Sequence, residues 1–151
     1  MKPLILIAIA ILAVGCGKKK VAYEVVEPVD GSNSKPEGVS VEKLEPRESI
    51  WYLKDSETPY TGKVYSLYPN GKMKSQRNYK DGKLDGLIFA WHENGQKFWE
   101  ENFKDGEPEG LGFAWHRNGQ KAMEGMVENE ASQKFWNSKG ESVNSFEETG
   151  L

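Results

Sequence analysis

Apolar residues are spaced along this chain in two ways. Over residues 4–14 they run unbroken for 11 positions. Between positions 51 and 136 the largest ones recur at every second position, the period of strands that bury one side. Leu87, Phe89 and Trp91 make one such series, and Leu111, Phe113 and Trp115 make the next. Asn-Gly and Asp-Gly pairs separate the series. Both pairs accept positive φ at low cost and so mark tight hairpin turns. The pattern predicts a succession of β-hairpins.

The hairpins repeat. Gly62, Gly86 and Gly110 are spaced by 24 residues, as are Asn70-Gly71, Asn94-Gly95 and Asn118-Gly119. Ala90-Trp91-His92 recurs as Ala114-Trp115-His116, and Tyr79-Lys80-Asp81-Gly82 recurs as Phe103-Lys104-Asp105-Gly106. A shortened copy follows at Trp136, 21 residues after Trp115, and a divergent leading copy surrounds Trp51. Atypical end units are expected in an array, because each end must face water.

Side-chain parity adds a turn geometry. Leu87, Phe89, Trp91, Trp99 and Phe103 are all odd-numbered, and so are their equivalents in neighbouring units. Two antiparallel strands present odd residues on one face only if paired numbers sum to an even value. A two-residue Asn94-Gly95 loop breaks that condition. A three-residue loop, 93–95, pairs His92 with Gln96 and keeps it. The expectation is a type I turn closing on a bulge, with Gly71, Gly95 and Gly119 left-handed. The predicted fold is all-β: an elongated antiparallel meander of 24-residue hairpins with one aromatic face. That face must be covered by curling, by the terminal segments or by a partner.

Composition places this fold within the chain. Of the 17 aromatic residues, all but Tyr23 and Phe146 lie between positions 51 and 136. Residues 17–48 hold Pro28, Pro36, Pro46 and a Gly/Ser-rich stretch, which is linker chemistry. The expected organisation is a leader at 1–15, a disordered tether at 16–48, the repeat domain at 49–141 and a disordered acidic tail at 142–151. The units lie near 62–85, 86–109 and 110–130. The net charge of −3, with lysines interleaved among acids, excludes a nucleic-acid footprint.

The N-terminal run is too short to span a bilayer, which takes roughly 20 residues, but it suits the apolar region of a secretory signal. Small residues follow it, then Cys16, the single cysteine of the chain. This arrangement resembles the bacterial lipoprotein signal. The resemblance implies cleavage before Cys16, palmitate-type acylation there, and membrane attachment through two or three chains. With Gly17 next rather than Asp, it implies the outer membrane over the inner.

The repeats themselves resemble the MORN family in its bacterial variant, over about residues 58–140. Residues 86–97 and Phe103-Lys104-Asp105-Gly106 carry the match. The resemblance implies an elongated hairpin sheet used for protein or lipid contacts, with no shared catalytic residues. It leaves two readings: an envelope scaffold whose partner is a protein or polymer, or an antitoxin-like component of a toxin–antitoxin pair. The expected surface is Trp51, Phe89, Trp91, Trp99, Phe113, Trp115 and Trp136. His92 and His116, the only histidines, sit two strands apart, roughly 10 Å. That is too far to share an ion, so they read as solvated repeat positions. No cofactor, metal or catalytic group is expected. Radiolabelled fatty acid should mark the wild-type protein and fail to mark Cys16→Ala, which should also leave the membrane fraction.

Overall fold

A computed structural model of the chain describes residues 36–151. The expected leader, Cys16 and residues 17–35 of the tether lie outside the described residues. Three short strands come first: β1 (Val39–Ser40), β2 (Leu44–Arg47) and β3 (Ile50–Leu53). The first hairpin is β4 (Gly62–Leu67) with β5 (Met73–Lys80), continued by β6 (Lys83–Leu84). The second is β7 (Gly86–Trp91) with β8 (Lys97–Lys104), continued by β9 (Glu107–Pro108). Then come β10 (Leu111–Trp115), β11 (Lys121–Met126), β12 (Lys134–Trp136) and β13 (Ser142–Val143). The sheet runs β1-β4-β5-β7-β8-β10-β11-β12-β13, with β6 beside β5 and β9 beside β8, while β2 and β3 form a separate ribbon. Among the described strands, β1 alone joins in parallel. This is the antiparallel meander that the repeat predicts.

The turns follow the loop-length argument. His92 N–H donates to Gln96 O at 2.8 Å, and Gly95 N–H donates to His92 O at 2.8 Å, with Gly95 at φ 93°. The same pair of bonds closes the turns at Gly71, Gly119 and Gly140. On the opposite edge, Asp81 and Gly82 both take positive φ, 49° and 76°, which makes a two-residue turn between β5 and β6.

The single aromatic face is corrected by the register. Trp91 pairs with Lys97, but the next pair is Ala90 with Trp99, so Phe98 is bulged out. Lys74 and Ala122 are bulged at the equivalent places. One extra residue inverts the facing of the rest of the strand. Phe89 therefore shares a face with Glu100, while Trp99 shares the other with Ala90. Across the sheet one face carries the row Tyr65, Gln76, Phe89, Glu100, Phe113, Glu124, Lys134. The other carries Ser66, Ser75, Ala90, Trp99, Ala114, Met123, Phe135, Val143. Large apolar groups occupy both faces.

Successive hairpins are stitched by side chains at one repeat position. Tyr68 Oη donates to Trp91 O at 2.7 Å, His92 Nε2 to Trp115 O at 2.7 Å, and His116 Nε2 to Trp136 O at 2.9 Å. A carbonyl only accepts, so each Nε2 carries the proton. The histidines are buried, 9% and 4% exposed, which corrects their reading as solvated positions. Turn asparagines add a second row of bonds, Asn94 Nδ2 to Arg117 O and Asn118 Nδ2 to Ser138 O.

The terminal segments cover the second face from its two ends. Leu44, Val64 and Tyr79 form one buried cluster, packed with Trp51, Leu53 and Tyr60. Ala114, Ala122 and Met123 form the other, packed with Trp99 and Phe135. Phe146 lies edge-on to Trp99 and Phe135, 6.4 Å from each. Two expected boundaries therefore move. Folded structure begins at Val39 within the expected tether, because Leu44 is core. The expected tail holds β13 and a short 3-10 turn, Glu147–Thr149, with Thr149 buried. Few apolar residues lie in these segments, but each sits over an otherwise open end of the sheet.

Replacing His116 by Phe keeps the ring and removes the donor, leaving the Trp136 carbonyl unpaired beside it. Urea denaturation should show a loss of about 1–3 kcal/mol, the cost of a stranded buried acceptor.

Candidate interaction face

The first face carries neither buried cluster and is built from alternating strands; the N-terminal segment meets it only at the β4 edge, where Glu37 pairs with Lys63 at 2.6 Å. β4, β7 and β10 present apolar groups on it: Tyr65 and Leu67, then Leu87, Phe89 and Trp91, then Leu111, Phe113 and Trp115. The intervening strands present Gln76, Glu100 and Glu124 beside those rings. Apolar ridges therefore recur every second strand, roughly 10 Å apart. Leu111 and Met126 pair directly across their strands and stay exposed at 41% and 40%.

The ridges do not stand bare. The Lys97 ammonium lies 5.2 Å from the ring centres of both Phe89 and Trp115. Glu100 holds it there through an ion pair of 2.6 Å. Lys121 repeats the arrangement over Phe113 at 5.4 Å and pairs with Glu124. Long lysine stems shield apolar surface while their charged heads stay in water. The ring quadrupole adds a cation–π attraction. The hydrogen bond from Lys121 holds the Glu124 carboxyl below the usual carboxylate range.

The structure divides the seven residues expected to form the surface. Phe89, Phe113 and Trp115 share the open face, half-buried. Trp91 is on the same strand face but buried beneath its neighbours, 5.9 Å from Phe89. Trp51 belongs to the N-terminal core, 6.0 Å from Tyr79, and Trp99 to the C-terminal core. Trp136 is half-buried at the end of the array. Four residues that shape the face, Lys97, Glu100, Lys121 and Glu124, escaped the sequence reading. Their signal was present: both types recur at the 24-residue spacing. Charged residues in strands read as solvent-facing, and their place between aromatic ridges appears only once the register is known.

Comparison with known proteins finds a likeness in the first hairpin. The family model described as a MORN repeat variant matches residues 60–81, which is the first hairpin with its leading residues. No curated protein and no solved structure matches the chain. The matched unit shares its turn bonds with the two hairpins that follow.

Glu124 has a folded pKa below its unfolded value. Its ion pair therefore stabilises the fold above the ordinary carboxylate range and fades as pH falls through the lowered value. Lys121→Met should raise the pH at which the Glu124 carboxyl titrates in carbon-detected NMR.

Proposed function

We propose that this protein is a non-enzymatic lipoprotein of the cell envelope. It is tethered through acylated Cys16 and uses its repeat sheet as a protein-interaction scaffold. The observation that carries this reading is the unequal treatment of the two faces. The apolar side chains of the terminal segments that enter the two buried clusters pack on one face and leave the aromatic ridges of the other uncovered. MORN repeats are generally protein- or membrane-interaction modules. The stitched backbone supports this use, since a rigid array presents its surface without an ordering cost on binding. Exposed Leu111 and Met126 supply an apolar patch of the kind that marks contact sites. The charged pairs between the ridges, Lys97 with Glu100 and Lys121 with Glu124, favour selective contact over indiscriminate adhesion. Outer-membrane placement rests on the signal-like leader and Gly17.

The test is photo-crosslinking in intact cells. A photoreactive residue replacing Leu111 should capture a defined envelope protein, and one replacing the exposed Lys54, at the N-terminal cap, should not. A Leu111 position that captures nothing in Cys16-anchored protein would end the reading.

A further inference from the structure

The three Asn-Gly turns share their sequence and their backbone bonds, yet their side-chain amides are held differently. In an Asn-Gly pair the glycine nitrogen can reach the asparagine side-chain carbonyl carbon with little hindrance, because glycine has no Cβ and a wide range of backbone angles. In each turn the glycine N–H donates to the carbonyl three residues before it: Gly71 to Tyr68, Gly95 to His92 and Gly119 to His116. In each, the asparagine Oδ1 accepts from the N–H two residues on, that of Lys72, Gln96 or Gln120, at 3.0, 3.1 and 3.0 Å. The turns part at Nδ2. Asn94 donates it to Arg117 O at 2.7 Å and Asn118 to Ser138 O at 2.8 Å, both backbone carbonyls of the next turn. Asn70 donates it to Glu93 Oε1 at 3.2 Å, the tip of an exposed side chain. The anchors of the turns follow the same order: His92 and His116 are buried, while Tyr68 is half-buried. A Cβ built on Gly119 would meet Gln96 Oε1 at 2.8 Å, whereas one on Gly71 or Gly95 would meet nothing within 4 Å.

We propose that Asn70 is a site of spontaneous deamidation in this chain, and that Asn94 and Asn118 are protected from the same reaction by their bonds to the next hairpin. The Gly71 nitrogen loses its proton and bonds to Asn70 Cγ. The Cγ–Nδ2 bond breaks, and ammonia leaves with that proton. Water then opens the cyclic imide at either carbonyl and gives aspartate or isoaspartate, with no other reactant. Ring closure turns the side-chain carbonyl carbon onto the glycine nitrogen, so Nδ2 must first leave its acceptor. At Asn94 and Asn118 this breaks a short bond to a carbonyl fixed in the neighbouring turn. At Asn70 it breaks a longer bond to an exposed carboxylate, which water solvates in its place. The product bears on the array itself. A carboxylate at position 70 faces the Glu93 carboxylate where an amide had donated, and like charges repel. Isoaspartate also adds a main-chain atom to a loop whose length sets the strand register. The first hairpin is therefore the one whose turn ages soonest. This inference rests on the turns alone and is independent of the interaction reading above.

The test incubates the full chain in mildly alkaline buffer, once folded in detergent micelles and once unfolded in urea. Peptide mapping by mass spectrometry follows the conversion of amide to acid at Asn70, Asn94 and Asn118. In urea the three should convert at similar rates, because glycine follows each of them. In the folded chain Asn70 should convert roughly fivefold faster than Asn94 or Asn118, the difference that one net hydrogen bond makes to a barrier. Glu93→Ala should raise the folded Asn70 rate by less than about twofold, because an exposed charged partner contributes little. Equal rates at the three sites in the folded chain, or faster conversion at Asn94 or Asn118, overturn the proposal. A larger rise on Glu93→Ala also overturns it, because the carboxylate would then clamp Asn70 as firmly as a backbone carbonyl clamps the other two.

Discussion

The architecture depends on one repeated hydrogen bond, from a side chain at the end of one hairpin to the backbone carbonyl of the next. Tyr68, His92 and His116 make it in turn. Isolated two-stranded hairpins are marginal in water. Here each hairpin is joined to its neighbour by strand pairing near the middle, as at Ser75–Ala90 and Ala114–Trp99. The ends would splay with the normal sheet twist. The stitch and the asparagine bonds beside it close that end. The donor must be long enough to cross between hairpins and must be buried with its acceptor. A phenol or an imidazole fits, and both occur at this position.

The second constraint is the bulge that follows each stitched turn. It leaves Lys74, Phe98 and Ala122 unpaired and inverts the facing of β5, β8 and β11. Without it one face would hold nearly all the rings and the other almost none. With it, Tyr79, Trp99 and Met123 line a core face, while Phe89, Phe113 and Trp115 line an open one. The core face then needs only small caps, and Leu44 with Trp51 at one end and Phe146 at the other provide them. The open face is left with ridges that lysines can shield. Two-sidedness, and with it any contact function, follows from a single extra residue per hairpin.

The end units differ from the middle ones for the same reason. A middle hairpin finds a ring on each side for its lysine. In the last one Lys121 lies over Phe113 and pairs with Glu124. In repeat arrays the ends usually close against water. Here the core face is closed at both ends, while the open face ends at Trp136 beside the Lys121–Glu124 pair.

Much of the fold was legible in the residues alone. The 24-residue spacing, the hairpin meander and the left-handed turn glycines follow from local chemistry. Asn-Gly and Asp-Gly restrict backbone angles wherever they stand, and loop length selects the first pair. What lies beyond that first pair was not legible. Lys74, Phe98 and Ala122 share no chemistry, so no residue type announces the bulge, and parity counted outward from the turn passes over it. The histidines were misjudged because burial depends on the neighbouring hairpin, 24 residues away. Leu44 and Phe146 sit in polar, proline- or acid-rich surroundings that read as unfolded. A single apolar side chain becomes core only when a distant sheet end offers it a place. Local periodicity determined that there are hairpins and how they turn. Only the tertiary register decided which side each ring faces, and therefore which surface is left to meet anything else.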